Sequence, residues 1–258
     1  MFLFSIPSIY AASASSGPAE TQAAPARISY DARPQLTMFN CTDCYAGYGD
    51  FGANYSVTTV SALVTVPWVS CSRKAIGYSF WGIQVNGANA SDFAGASVTA
   101  GCSSGIVHYY AAWFDANVYT GCTLCQINAT WTPSAGDNVF LAIGYNNRTS
   151  RFTFILNDLT SHQYYMRSSF LEGVSLEFGV CASDMYLNSS LIVQPSVEFS
   201  PVSFTHCLVD GEPVGSAPNG TTVFEFFCTN AEGNGYLAKP SDLWRGQDFT
   251  VRFVATGP

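Results

Sequence analysis

The chain carries little charge for its 258 residues: Asp, Glu, Lys and Arg make up 11% of it, and only 10 residues are Lys or Arg. Soluble domains usually have about a quarter charged residues, so solubility here depends on Ser, Thr, Asn and Gly. The formal net charge is −8, and no basic run occurs. Because a phosphate backbone is bound through a cationic stripe, the sequence predicts no nucleic-acid partner.

Other functional signatures are missing as well. No apolar run beyond the first residues approaches the roughly 20 residues that span a bilayer, so we expect no transmembrane span. The chain has only 3 histidines, without an HExxH pair, and it has neither a glycine-rich phosphate loop nor a G-x-S-x-G elbow. The sequence therefore predicts no bound metal and no cofactor.

The N-terminal region has two features of an export signal, an apolar segment and a small-residue cleavage pattern, without the basic residues that usually precede them. Residues 1–10 are apolar and lead into the small residues 11–14, a pattern typical of signal-peptide cleavage sites. Residues 11–35 are rich in Ala, Ser, Pro and Gln, which is typical of a flexible leader or a short propeptide. We therefore expect a secreted protein with a signal-like segment and leader over residues 1–35 and a folded domain over residues 36–258.

Acceptor motifs for N-glycosylation, Asn-x-Ser/Thr, are frequent along the chain. Such sites require surface positions in an exported protein, so their number agrees with secretion. The predicted glycosylation sites are Asn40, Asn54, Asn89, Asn128, Asn147, Asn188 and Asn219.

The chain contains 9 cysteines, and four of them form two C-x-x-C elements, Cys41 with Cys44 and Cys122 with Cys125. This spacing occurs in zinc sites, and it also occurs among the disulfides of exported proteins. We favour disulfides because the flanking residues are strand-like and the chain has the features of an exported protein. The odd number predicts one thiol that is free or that pairs between chains, and the sequence does not fix the connectivity.

Short β-prone segments separated by turn residues fill the chain after the leader. Residues 56–66 are rich in β-branched side chains, residues 138–143 follow the turn at Gly136-Asp137, and residues 151–156 alternate apolar and polar. Helical periodicity is nearly absent. Strands of this length at near-regular spacing are typical of a sandwich or a barrel, so we predict a single all-β domain.

One segment, Ser175-Leu176-Glu177-Phe178-Gly179-Val180, places a carboxylate on a run that alternates like a half-buried strand. Successive side chains of a strand point to opposite faces of its sheet. The alternation predicts that Leu176, Phe178 and Val180 share one face and that Glu177 points out of the other face with Ser175 and Gly179. By itself, such a residue is most simply part of a solvated face.

Six segments keep an order and spacing similar to the motifs of one peptidase family. They are Tyr45-Ala46-Gly47-Tyr48 with residues 60–67, Phe80-Trp81-Gly82-Ile83-Gln84, Tyr109-Tyr110-Ala111-Ala112-Trp113, residues 133–137, Ser175-Leu176-Glu177-Phe178 and Phe249-Thr250-Val251-Arg252-Phe253. The corresponding family motifs read W-x-G-Y with V-x-G-x-W-x-V-P, W-V-G-I-D, Y-Y-A-W-Y-E, P-G-D, A-E-W and F-T-V-x-W. The chain thus resembles the glutamic peptidases, or eqolisins, over about residues 40–254. The resemblance implies a double-sheet antiparallel β-sandwich of the concanavalin-like type.

The resemblance also implies the chemistry of the site. In glutamic peptidases a glutamate acts as general base on a water, and a glutamine that faces it stabilises the oxyanion at the scissile carbonyl. Glu177 corresponds to the glutamate. Residues 93–97, where the glutamine is expected, contain none: matching the local glycine puts Phe93 at that position, and counting back from the next cysteine puts Gly95 there. The nearest glutamine is Gln84, which we predict as the replacement donor.

The same comparison of motifs predicts that Trp81, Tyr110, Trp113 and Asp115 line the substrate cleft. The aromatic side chains of residues 109–114 alternate two by two, so one pair is expected in the core. The other pair is expected on a groove that takes peptide side chains or sugar rings.

These features together predict a secreted, acid-acting glutamic endopeptidase, or a diverged member of that family, which cleaves polypeptides as a monomer. Two other functions stay open. The absent glutamine favours a catalytically silent module that binds peptide or glycan on the same sheet. The glycosylation sites, low charge and odd cysteine favour a structural cell-surface subunit.

Overall fold

The structure is a computed structural model, and it describes residues 43–51, 56–71, 76–87, 93–115, 131–171, 174–186, 197–216, 222–226, 228–229 and 236–254. The predicted leader lies outside these residues, as do all the predicted glycosylation sites except Asn147. Asn147 is exposed, in the turn between two strands, as a glycan acceptor must be.

The regular structure of the described residues consists of β-strands and one 3₁₀ turn, Val214–Ser216. The strands are β1 Asp43–Phe51, β2 Thr59–Thr65, β3 Val69–Cys71, β4 Ile76–Gly87, β5 Phe93–Ser103, β6 Ile106–Asp115, β7 Asn138–Asn146, β8 Arg151–Asp158, β9 Gln163–Phe170, β10 Leu176–Tyr186, β11 Val197–Phe199, β12 Val202–Val209, β13 Glu212–Pro213, β14 Thr222–Phe226, β15 Cys228–Thr229, β16 Tyr236–Pro240 and β17 Phe249–Phe253.

These strands form two large antiparallel sheets. The six-stranded sheet has the order β14-β1-β10-β4-β5-β6, and the nine-stranded sheet has the order β15-β16-β17-β12-β2-β7-β8-β9 with β13 added to β12. A small third sheet pairs β3 with β11. The predicted all-β, double-sheet antiparallel sandwich is therefore confirmed.

Alternating apolar side chains build the core between the two large sheets. In β2, Val60, Ala62 and Val64 are fully buried, while the residues between them are partly exposed. A methyl group on Gly179 of β10 would approach Val60 to within 2.8 Å, which shows how closely the two sheets pack. We call the face of the six-stranded sheet that packs here its inner face, and the opposite one its outer face.

Two disulfides reinforce this arrangement. Cys181 of β10 is bonded to Cys207 of β12, and this bond links the two large sheets through the core. Cys71 of β3 is bonded to Cys102 of β5, which ties the small sheet to the six-stranded one. The disulfide interpretation is thus confirmed for these four cysteines. Both C-x-x-C elements include cysteines outside the described residues.

Candidate active site on the outer face

The chain has a β-bulge at Glu177, where β10 meets β4. Leu176 pairs with Gly87, and Phe178 pairs with Asn86, so Glu177 is an extra residue without a partner in β4. Leu176 is buried, and its carbonyl accepts a hydrogen bond from the backbone N–H of Val57 at 2.9 Å. Glu177 is partly exposed. The bulge therefore places a partly exposed glutamate directly after Leu176, a residue that is fixed in the core.

This bulge corrects the alternation predicted for the segment. Gly179 faces the core, and Phe178 and Val180 point to the outer face, whereas Leu176 lies on the inner one. The prediction that all three apolar side chains share one face is wrong for Leu176, because an extra residue shifts the alternation by one position.

An asparagine lies beside the bulge on the outer face. Residues directly opposite each other in an antiparallel ladder share a face, with Cβ atoms about 4.5–5.5 Å apart. Asn86 is opposite Phe178 on one side and opposite Phe93 on the other. A carboxamide thus sits between the strand of Glu177 and one of the two positions where the resemblance expects a glutamine.

Gln84 shares this face with Asn86 but lies farther from the bulge. Its partners across the sheet are Val180 and Gly95. Its Nε2 donates to Asn86 Oδ1 at 2.6 Å, and its Oε1 accepts from the hydroxyl of Tyr45 at 3.1 Å. In the register of the sheet, Asn86 is therefore the amide nearest to Glu177, and Gln84 is the next one.

Aromatic side chains flank these amides on both sides. One group, which we call the phenylalanine cluster, has ring centroids 5.6–6.5 Å apart and consists of Phe51, Phe178, Phe224 and Phe226. On the other side, Phe93 and Phe114 lie 6.0 Å apart. The ring of Phe114 lies against Gly95, where a methyl group would collide with it. The outer face thus has a polar centre between two apolar walls.

No family model matches the sequence, and no curated protein matches it. Solved structures do match. A scytalido-glutamic peptidase with a transition state analog inhibitor is 17% identical, with a TM-score of 0.60, over 82% of this chain and 98% of that one. SCP-B, a member of the eqolisin family of peptidases in complex with the tripeptide Ala-Ile-His, is 18% identical, with a TM-score of 0.57, over the same shares. This chain has the eqolisin fold.

A further eqolisin-type structure has a lower score. Aspergilloglutamic peptidase from Aspergillus niger is 15% identical, with a TM-score of 0.50, over 69% of this chain and 99% of that one. At these identities the likeness is one of fold. A likeness of fold assigns no role to an individual residue.

The eqolisin fold of this chain separates the four predicted cleft residues. Tyr110 lies on the outer face, opposite Thr99, and stacks on His108 with 6.5 Å between the rings. Trp81 is fully buried on the inner face against Phe199.

Trp113 packs against Phe154 of the nine-stranded sheet, and Asp115 is buried opposite Ala94. Trp81, Trp113 and Asp115 thus face the core, and of the four residues predicted to line the cleft only Tyr110 lies on the outer face. Alternation along β4 and β6 sends these three side chains inwards. The predicted division of the aromatic pairs in β6 holds, since Tyr110 and Phe114 face outwards.

A buried carboxyl group and a buried tyrosine lie on the inner face of the six-stranded sheet. Asp50 of β1 is fully buried, and within the described part of the chain neither of its carboxyl oxygens has a hydrogen-bond partner. Burial raises the pKa of Asp50 to about 7. The hydroxyl of Tyr48 lies 2.8 Å from Ser241 O and 3.2 Å from Glu225 Oε1, so these two acceptors share its single proton. Burial raises the pKa of Glu225.

The described residues contain no group of three His, Cys, Asp or Glu side chains that are arranged to hold a metal ion. They also contain no helix of the length and hydrophobicity that crossing a membrane requires.

Proposed function

We propose that this protein is a glutamic peptidase that binds an extended polypeptide on the outer face of its six-stranded sheet and uses Glu177 as general base. The observation that carries the proposal is the bulge, which places a partly exposed glutamate directly before Phe178, the residue paired with Asn86. Bulges are enriched next to active sites because they redirect a side chain without disturbing the rest of the ladder.

The two kinds of side chain fit the two requirements of amide hydrolysis. A carboxylate accepts a proton from the attacking water, and an amide N–H donates to the oxygen of the scissile carbonyl as negative charge develops there. A carboxamide stays neutral at every pH at which the chain is folded, so it keeps its donors in acid. We therefore propose an acid-acting enzyme of the extracellular space.

The apolar walls suggest what the site binds. The phenylalanine cluster and the pair Phe93 and Phe114 offer large aromatic surfaces on either side of the amides. Such surfaces favour apolar side chains of a bound peptide, because both surfaces lose water on contact. We propose polypeptides with bulky apolar residues near the cleaved bond as substrates.

The test is cleavage of a denatured protein substrate across pH 2 to 7 by the wild type and by Glu177→Gln. We expect activity in acid and a loss of about 10²- to 10⁴-fold in kcat for the variant, the usual contribution of a general base. Glu212→Gln, at an exposed glutamate of β13, is the matched control and should cleave like the wild type. A folded wild type without cleavage at any pH, or full activity of Glu177→Gln, would refute the proposal.

A silent peptide-binding module is the second candidate. It is favoured by Phe93 and Gly95, neither of which offers a side-chain donor at the two positions where the resemblance expects the glutamine. If this candidate is right, wild type and Glu177→Gln bind an unfolded polypeptide equally, and neither cleaves it. Equilibrium binding measured beside the cleavage assay distinguishes the two functions.

A further inference from the structure

Three polar side chains form a chain of hydrogen bonds across the outer face. The hydroxyl of Tyr45 on β1 donates to Gln84 Oε1 on β4, at 3.1 Å. Gln84 Nε2 then donates to Asn86 Oδ1 at 2.6 Å. Strand β10 lies between β1 and β4, so the Tyr45 side chain reaches across it. The crossing fits the presence of Ala182 on β10, a small outer-face residue that is only 5% exposed.

The order of donors fixes the direction of both amides. The Tyr45 hydroxyl donates to Gln84 Oε1, and the amino group of Gln84 is turned towards Asn86. Asn86 Oδ1 is therefore occupied as an acceptor. Its own amino group, with two donors, is at the other end of the carboxamide, and within the described residues the structure records no partner for it.

Asn86 and Gln84 differ in their position relative to the bulge. Asn86 is opposite Phe178, the residue that follows Glu177, whereas Gln84 is opposite Val180. Both ends of Gln84 are engaged, its oxygen by Tyr45 and its amino group by Asn86. Of the two amides, Asn86 combines a place next to the bulge with donors that no neighbour among the described residues takes.

We infer that Asn86 is the catalytic oxyanion donor of this enzyme and that Tyr45 and Gln84 are positioning residues that hold its amino group towards the substrate. The inference rests on the proposed function. Asn86 takes the place of Gln84, the donor predicted from sequence. The resemblance gives this role to a glutamine on β5, whereas here an asparagine on the neighbouring strand β4 takes it.

The reaction follows from these roles. The Glu177 carboxylate takes a proton from water as the water oxygen bonds to the carbonyl carbon, and the electron pair of the C=O bond moves to the oxygen. The Asn86 amino group donates a hydrogen bond to this oxyanion. When the carbonyl re-forms, the C–N bond breaks, and the leaving nitrogen receives the proton from the Glu177 carboxyl group. No further reactant is required, since water and the peptide supply all atoms.

The test compares steady-state cleavage of one peptide substrate by full-length variants. Asn86→Ala should lower kcat by about 10²- to 10³-fold, with KM changed by no more than a few-fold, because the hydrogen bond strengthens only as charge develops. Tyr45→Phe keeps the ring and removes the hydroxyl, and it should lower kcat by about 5- to 10-fold, the effect of losing one hydrogen bond that orients the donor. Asn157→Ala, at an asparagine of the nine-stranded sheet, is the matched control and should leave both constants unchanged.

The outcomes separate this inference from the proposed function. If Glu177→Gln is inactive while folded Asn86→Ala cleaves like the wild type, Asn86 is not the donor, and the proposed function stands. If Gln84→Ala loses at least as much kcat as Asn86→Ala, the donor is Gln84, and the inference falls. A wild type without activity overturns both. Should Asn86→Ala fail to fold by circular dichroism, Asn86→Leu, which has a side chain of similar size without a hydrogen-bond donor, replaces it under the same criteria.

Discussion

Asp50→Asn is expected to make the protein up to about 4 kcal/mol more stable than the wild type at pH 8 and to leave its stability in acid nearly unchanged. Burial raises the pKa of this carboxyl group from 3.8 to about 7. One pKa unit corresponds to about 1.4 kcal/mol, so roughly three units give this value. Asparagine has nearly the same shape and never ionises.

The sign follows from proton binding. The folded state binds the Asp50 proton more tightly than the unfolded state, so its contribution to stability is complete below pH 3.8. The contribution is lost as the pH rises to about 7, and it stays constant above that value. The wild type should therefore be most stable in acid, in agreement with the acid-acting function proposed for it.

Urea unfolding of the wild type and of Asp50→Asn at several pH values between 3 and 8 measures this effect. The difference between the two free energies of unfolding should grow steadily from pH 4 to 7 and then level off. Glu212→Gln removes an exposed carboxylate and should follow the wild type at every pH. Parallel curves for wild type and Asp50→Asn would show that the buried carboxyl does not control the pH dependence.

Removal of the disulfide between the two large sheets is expected to lower the free energy of unfolding strongly. Cys181 and Cys207 are 26 residues apart in sequence, and loop-closure entropy alone gives a cost of about 3.5 kcal/mol for losing their bond. Both residues are fully buried in the core, so Cys181→Ala/Cys207→Ala also leaves unfilled space between the sheets. We expect the total loss of stability to exceed the entropic value.

The second disulfide provides a matched control. Cys71 and Cys102 are 31 residues apart, so loop closure predicts nearly the same cost for breaking their bond. Cys71 is partly exposed, on the three-residue strand β3, so its replacement leaves less buried space unfilled. Denaturant unfolding should therefore show the larger loss for Cys181→Ala/Cys207→Ala. Equal losses would mean that the core position of that bond adds nothing beyond loop closure.

The architecture was predictable because its signal is local. Alternation of apolar residues in β2 and β8 is visible along the chain, and both runs form strands with one buried face. The order of weak motifs then indicated the arrangement of those strands. Both signals survive at identities below 20%, since they depend on which face is apolar and not on particular side chains.

The site was less predictable because it depends on register between strands. An apolar-polar-apolar pattern at Leu176, Glu177 and Phe178 fits a regular strand and a bulge equally well, and only the pairing with β4 distinguishes them. The resemblance does not point to Asn86, because it places the glutamine on β5. The alternation of β4 contained a usable signal, since Asn86 lies two residues after Gln84 and shares its face.

Parity along β4 also exposes an inconsistency in the predicted cleft. Trp81 and Gln84 are separated by an odd number of positions, so a regular strand sends them to opposite faces. Trp81 shares its face with Ile83 and Val85, both buried, which identifies that face as the inner one. The resemblance indicates residues close to the site in sequence. The alternation of side chains along β4 decides which of them lie on the face of the site.

Because Glu177 is the extra residue of the bulge, it can be removed without changing the faces of the other residues in β10. Leu176 already points inwards and Phe178 outwards, so the alternation of β10 is complete without the residue between them. Deletion of Glu177 would let the pairs Leu176–Gly87 and Phe178–Asn86 follow each other in an unbroken ladder. In evolutionary terms, the gain or loss of one codon would add or remove the carboxylate while every other side chain of the strand kept its face.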